Sequence, residues 1–210
     1  MNQTLLTFFN KHYAPGRIGL VGASDSVGKI IRAGQSRLTP DQKPSRWSHA
    51  FLMGHRRDDG RTDGSIYIFE SDLQIDTKNW RILNGAMESR IMKWCRDDIE
   101  HACVLAINSS INGSEMLVRT GLEFAYDEER VRYPLGKLFG TWYAILTGTT
   151  RKRNIFDKNH AIQCATFVRM CYQSMNEDFI INGSHQSNTS PEEIFQSQKF
   201  TVREVWTRSK

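Results

Sequence analysis

The sequence predicts an α+β domain in which an antiparallel sheet of about five strands packs against helices. Three observations carry this. Short apolar runs, several alternating with polar residues, recur between positions 17 and 206, separated by turn signals. Interspersed with them are stretches whose apolar residues recur at three- and four-residue steps, the period of a helix with one buried face. The 210 residues, 39% apolar and 24% charged, contain five scattered prolines and no repeat or low-complexity tract, which suits one domain over 1–210.

Taken in order, residues 4–13 read as a short helix stopped by "APG". "RIGLVG" (17–22) is an apolar strand ending in glycine. "SVGKIIRAG" (26–34) is helical, with Ser24 or Asp25 as its cap. The run from Gly22 to Gly28 invites comparison with a phosphate loop, but isoleucine follows Lys29 where that motif needs Ser or Thr. "QSRLTPDQKPSR" (35–46) is a polar loop. "WSHAFLMGH" (47–55), the turn "RRDDGRTDG" (56–64) and "SIYIFESDL" (65–73) make a β-hairpin.

"WRILNG" (80–85) and "ACVLAIN" (102–108) read as further strands, and around "MESRIMKWCRDD" (87–98) strand and helix signals compete. Residues 114–125 suit a helix. "YPLGKLFGTWYAILTG" (133–148) reads as a buried helix too short to span a membrane. The loop "RKRNIFDKNH" (151–160) leads into "NHAIQCATFVRMCYQ" (159–173), an amphipathic helix. Its stripe is Ala161, Ala165, Val168, Tyr172 and Met175, with Cys164 on the same face. In "NTSPEEIFQS" (188–197) Ser190 stands at a cap position before Pro191, so a short helix follows. "FTVREVW" (200–206) alternates as a final strand.

The formal charge is +5 and the isoelectric point about 9.1, with basic clusters at 55–61 and 151–153. Such an excess favours approach to anionic surfaces. Asp58, Asp59, Asp63 and Asp157 dilute both clusters, and basic motifs interleaved with aromatics are missing, so no nucleic-acid partner is expected. The first residues lack the basic start and unbroken apolar core of a signal peptide. The expectation is therefore synthesis and folding in the cytoplasm, with export by a specialised secretion system left open.

The four cysteines, Cys95, Cys103, Cys164 and Cys171, form no C-x-x-C pair. Neither a zinc site, a thioredoxin-type motif nor a disulfide scaffold is signalled, and no metal or cofactor is expected. A cysteine at a helix start becomes a nucleophile when the helix N-terminus and a neighbouring base stabilise its thiolate. Among the six histidines, His160 lies one helical turn before Cys164 and stays open as a partner. His12, His55, His101 and His185 lie in polar or loop contexts. His49 opens an apolar strand, where an imidazole needs a hydrogen-bond partner. Glu70 closes the apolar run of the adjacent strand, within reach of His49 across the hairpin. Cys171 lies two turns from Cys164 and reads as packing.

These residues carry a resemblance. "RWSHAFLM" resembles the histidine strand of the circularly permuted papain-like hydrolases, the YiiX/YaeF-like branch of the NlpC/P60 superfamily, where the histidine precedes the cysteine helix. The order here is His49, Glu70, Cys164. "GRIGLVGASDSVGKIIRAG" is similar to that branch's opening strand, loop and helix, "QCATFVRMCY" to its nucleophile helix, and "NTSPEEIFQS" to the short helix that follows. The resemblance spans about residues 16–197. It implies a permuted papain-like fold with Cys164 as nucleophile, His49 as general base and Glu70 as the group orienting His49. The backbone N–H of Cys164 is a physical candidate for oxyanion binding. The charged turn and the long segment 86–150 depart from the pattern and put the substrate in doubt.

The implied activity is that of a cysteine hydrolase or acyltransferase working through an acyl-enzyme. Two substrate classes follow from the resemblance: lipid acyl esters, as in the related lecithin:retinol acyltransferase-like enzymes, and cell-wall peptide amides. The basic surface leans the choice toward anionic membrane lipid, with "LFGTWYAIL" (138–146) lining an acyl groove and Arg56, Arg57 and 151–153 forming a basic rim. Some relatives are antibacterial toxins, so an immunity or secretion partner belongs to this reading. The alternative is a catalytically idle papain-like domain that binds lipid or a partner protein. Oligomeric state is not legible.

Overall fold

Six consecutive buried residues, Ile18–Ala23, form strand β1, and burial on both faces puts it inside the sheet rather than at an edge. The computed structural model describes residues 1–58, 66–76, 81–107, 112–126, 135–152, 163–180 and 184–209. β2 (His49–Arg56), β3 (Ile66–Asp76) and β4 (Arg81–Arg90) add on one side of β1; β5 (Ile99–Ile107) and β6 (Phe200–Thr207) add on the other. The result is a six-stranded sheet of order β4-β3-β2-β1-β5-β6 with every neighbouring pair antiparallel. Six α-helices among the described residues complete an α+β architecture.

Strand alternation sorts the core into two layers. Leu20, Leu52, Phe69, Cys103 and Leu105 face one way, under α3 (Asn112–Tyr126) and α5 (Cys164–Gln173). Val21, Phe51, Met53, Ile68 and Val104 face the other, under α1 (Gln3–Lys11) and a 3-10 turn at Ile91–Trp94. The competing signals at 87–98 resolve here. β4 runs to Arg90, and the 3-10 turn then buries Ile91 and Trp94 while leaving Lys93 half-buried. No described helix is long and apolar enough to cross a membrane.

At one end of the sheet, β1 finishes and α2 (Ser26–Gly34) begins, capped by the Asp25 carboxylate, which accepts from the Gly28 N–H at 2.6 Å. The glycines that suggest a phosphate loop serve close packing instead. A Cβ on Gly22 would fall 1.8 Å from the Arg46 carbonyl oxygen, and one on Gly28 would fall 2.6 Å from that of Ala23. Gly28→Ala gains about 0.5–1 kcal/mol of helix propensity. It loses about 1–3 kcal/mol to overpacking, because the obstructing atom is backbone and cannot swing aside. Urea unfolding should therefore place the variant below wild type, by up to about 2.5 kcal/mol.

Two further elements differ from expectation. The helix at 159–173 begins at Cys164 among the described residues; 153–162, and with them His160, lie outside those residues. The segment at 133–148 forms α4 (Leu135–Thr147) but is buried on one side alone. Thr141, Ala144 and Ile145 face inward, whereas Trp142 and Tyr143 are exposed. Ser190 caps α6 (Pro191–Gln196) with a full capping box, its side chain taking the Glu193 N–H and the Glu193 carboxylate taking the Ser190 N–H.

Candidate active site

His49 is the first residue of β2, and Cys164 is the first residue of α5. Both are buried. The ends of a strand and a helix meet here, close enough for Cys164 to act electrostatically on the His49 ring. The β2–β3 register, Leu52 opposite Phe69 and Met53 opposite Ile68, puts His49 and Glu70 on one face of the sheet. The His49 Nε2 atom lies 2.8 Å from Glu70 Oε2. That leaves Nδ1 as the ring nitrogen for the Cys164 thiol. The structure thus bonds His49 to Glu70 and brings the start of α5, with Cys164, into the neighbourhood of the ring.

Glu70 is fully buried and is held by more than His49. The Trp94 indole N–H donates to its Oε2 at 2.8 Å, and Lys93 Nζ donates to its Oε1 at 2.6 Å. Lys93 also bonds Asp72 at 2.5 Å. The Trp94 ring lies against the His49 ring with centroids 4.4 Å apart and planes 27° from parallel. One 3-10 turn therefore supplies a stacking wall for the imidazole, and both a neutral and a charged donor for its carboxylate partner.

Sequence reasoning missed Lys93, Trp94 and Asp72. The available signal was local: a 3-10 turn whose indole is buried must find an acceptor for its N–H. Which acceptor it finds depends on β3 and β4 lying side by side, a long-range fact.

The charges follow from these contacts. Burial by itself would lower the His49 pKa, but the interactions of the ring with Cys164 and with Glu70 outweigh it and raise the value to about 10. Burial would raise the Glu70 pKa, but the His49 hydrogen bond and the Lys93 and His49 charges bring it down to about 2. An imidazolium between a sulfur and a carboxylate is the state these shifts describe.

α5 starts without a side-chain cap from Gln163. Gln163 instead pairs with Thr141 of α4, its Nε2 lying 3.1 Å from Thr141 Oγ1. No side chain of the N-cap residue therefore competes for the first-turn N–H groups of α5, which converge beside Cys164. The other three cysteines are set apart. Burial pushes the Cys95 and Cys103 thiols up to about 12 and raises Cys171 as well. Brief iodoacetamide treatment near neutral pH followed by peptide mapping should label Cys164 well ahead of these three. Equal labelling of all four would remove the case for an activated thiol.

The expected basic rim is not where the sequence reading puts it. Arg56 ends β2, seven residues from His49, or roughly 23 Å at about 3.3 Å per residue. There it bonds Asn10 and lies over the Tyr13 ring, while Arg57 pairs with Glu88 and lies over Tyr67. Both arginines belong to the far end of the sheet. Arg151 and Lys152 are exposed, and Arg153 lies outside the described residues, as does the turn at 59–65.

The fold and this trio define an α+β protein with a buried Cys–His–Glu arrangement at one end of an antiparallel sheet. No family model matches the chain, and no curated protein does. Among solved structures, the chain is similar to the metalloprotein YiiX from Escherichia coli O157:H7, with a TM-score of 0.55 and 12% identity over 94% of this chain and 98% of that one. At that identity the likeness is one of fold. Among the described residues of this chain, no group of three or more His, Cys, Asp or Glu side chains is arranged to hold a metal ion. The Glu70 oxygens are already taken by His49, Trp94 and Lys93.

Proposed function

We propose that this chain is a permuted papain-like cysteine hydrolase or acyltransferase, with Cys164 as nucleophile, His49 as acid and base, and Glu70 as the residue that orients His49. The observation that carries the reading is the buried His49–Glu70 hydrogen bond at 2.8 Å, with Cys164 at the start of α5 near enough to raise the pKa of the same ring. The likeness in fold to YiiX and the chain order His49, Glu70, Cys164 agree with it.

In this reading His49 holds the proton of the Cys164 thiol. The thiolate attacks a carbonyl carbon, and the first-turn N–H groups of α5 receive the developing oxyanion. His49 then gives its proton to the leaving alcohol or amine as the carbon–heteroatom bond breaks, leaving a thioester on Cys164. Water, or an acceptor hydroxyl or amine, loses a proton to His49 and attacks the thioester, releasing the acyl product and the free thiol. Glu70 keeps the ring in position and favours its protonated form throughout.

A lipid acyl ester is the favoured substrate and a cell-wall peptide amide the runner-up. The test is mass spectrometry of products from phospholipid vesicles and from peptidoglycan fragments, with wild type beside Cys164→Ala. Free fatty acid or lysolipid formed by wild type alone supports the lipid reading. Cleaved stem peptides alone would move the substrate to the cell wall and keep the nucleophile. Product from neither would make the chain a catalytically idle domain of this fold that binds lipid or a partner protein.

A further inference from the structure

We infer that α2 and α4 together form a docking face for an anionic lipid bilayer, set beside the Cys164 site. The inference deepens the lipid-acyl reading above and rests on it for its purpose, though binding itself requires no turnover.

The first observation is apolar exposure. α2 buries Gly28 but leaves Val27 63% and Ile30 69% exposed. Val27, Ile30 and Gly34 are spaced three and four residues apart, so they lie along one helix face. That stripe runs into α4: Trp142 Cδ1 stands 2.8 Å from where a Gly34 Cβ would be. Trp142 is 47% exposed and its neighbour Tyr143 is 53% exposed. Two aliphatic side chains and an indole thus form one exposed surface along two adjoining helices, with an exposed phenol next to the indole in sequence. Trp and Tyr are the residues that favour the headgroup level of a bilayer, since each has an apolar body and a polar tip.

The second observation is charge. Between 26 and 40 the sequence has Lys29, Arg32 and Arg37, and between 135 and 152 it has Lys137, Arg151 and Lys152, with no Asp or Glu in either segment. The whole chain, by contrast, has 28 basic and 23 acidic residues. Arg32 is bonded to Glu100, and Arg37 ties this face together by donating to the Leu146 carbonyl. Lys29 is exposed on α2, as are Arg151 and Lys152 a few residues beyond the end of α4. An apolar face flanked by more basic than acidic groups, with Asp25 and Glu100 the acids nearest α2, fits an anionic lipid surface rather than a neutral one.

The third observation is position. Val21 pairs with His49, so the end of β1 that leads into α2 is the end of the sheet where His49 begins β2. α4 reaches the site from its inward side, where Thr141 meets Gln163 directly before Cys164. Trp142, next in sequence, points outward. A bilayer received on α2 and α4 therefore lies next to the start of α5.

The test uses Cys164→Ala, so that lipid is not consumed, in co-sedimentation with two kinds of vesicle: phosphatidylcholine alone, and phosphatidylcholine mixed with phosphatidylglycerol. The proposal expects preference for the anionic vesicles, loss of that preference in high salt, and roughly tenfold weaker partitioning for Ile30→Glu and for Trp142→Glu. Lys29→Glu combined with Lys152→Glu should weaken anionic binding while leaving the apolar stripe intact. Arg56→Glu, at the far end of the sheet, should bind as the parent does. Equal binding to both vesicles, no binding to either, or Trp142→Glu binding like its parent would overturn the proposal. So would light scattering that finds a dimer which Trp142→Glu converts to monomer, because a second copy would then cover this face. Hydrolysis of a soluble short-chain acyl ester by wild type keeps the outcomes apart. Ester turnover without vesicle binding removes the docking face alone; vesicle binding without any acyl turnover removes the hydrolase reading alone.

Discussion

Acyl release by Cys164→Ala and by His49→Ala should fall toward background, a loss of at least about 10²-fold in kcat. A general acid–base group contributes about 10²–10⁴-fold, and removing the nucleophile deletes the covalent path altogether. The double variant should be no slower than either single one, because the two groups act as a unit on one proton and one sulfur. The fold should survive in both, since the pairing of His49 with Val21 is made by the backbone and Cys164 lies outside the sheet. Matched circular dichroism beside lost turnover is thus the expected pair of results. A Cys164→Ala protein that still releases product would end the nucleophile assignment. In the Cys164→Ala variant His49 loses the interaction that most raises its pKa. NMR titration of the imidazole should therefore find its midpoint well below that in wild type.

Glu70→Gln should cost more stability than any other single change at the site. The carboxylate is buried and accepts from His49, Trp94 and Lys93. Gln has nearly the same shape, but it carries no charge and one of its two polar ends donates. The Lys93 ammonium keeps Asp72 but loses its buried counter-charge. Breaking one side of a buried ion pair costs about 3–5 kcal/mol. Urea unfolding near pH 6 measures it, and a loss under about 1 kcal/mol would show that Glu70 is not the hub of this network.

The pH dependence has a definite sign. Glu70 is lowered from 4.5 to about 2, so its contribution is present above pH 4.5 and is lost as pH falls through 2. His49 is raised from 6.5 to about 10, so its contribution is complete below pH 6.5 and is lost as pH rises through 10. Wild type should hold the full benefit of both groups between those inner limits. In Glu70→Gln both flanks should become shallower.

Much of the architecture is legible in the residues. Alternation in "SHAFLMGH" and "SIYIFESDL" marks the central hairpin, Ser190 with Pro191 marks α6, and Ser24 or Asp25 marks the start of α2, where the structure uses Asp25. These signals are local: a strand's period of two, or a cap's bond to a nearby N–H. The aromatic run at 133–148 misleads for the same reason. Its composition says apolar, but which face of α4 is covered depends on what packs there, and Trp142 and Tyr143 are left outside. The basic rim fails likewise. Arg56 and Arg57 are near His49 in sequence, but an extended strand carries them to the opposite end of the sheet.

The chemistry-bearing residues divide along the same line. Residue type, helix period and chain order are written in the sequence, and they suffice to nominate Cys164, His49 and Glu70. Their meeting is a different kind of fact. It requires the start of α5 to land beside the start of β2, with more than a hundred residues between them, and it requires β3 and β4 to pair so that Lys93 and Trp94 come to rest on Glu70. No local propensity encodes such contacts, because they are made by elements distant in the chain and held by the two apolar layers of the sheet. The sequence names the groups that could react; the packed sheet sets their distances, desolvates them and thereby determines which of them carry charge.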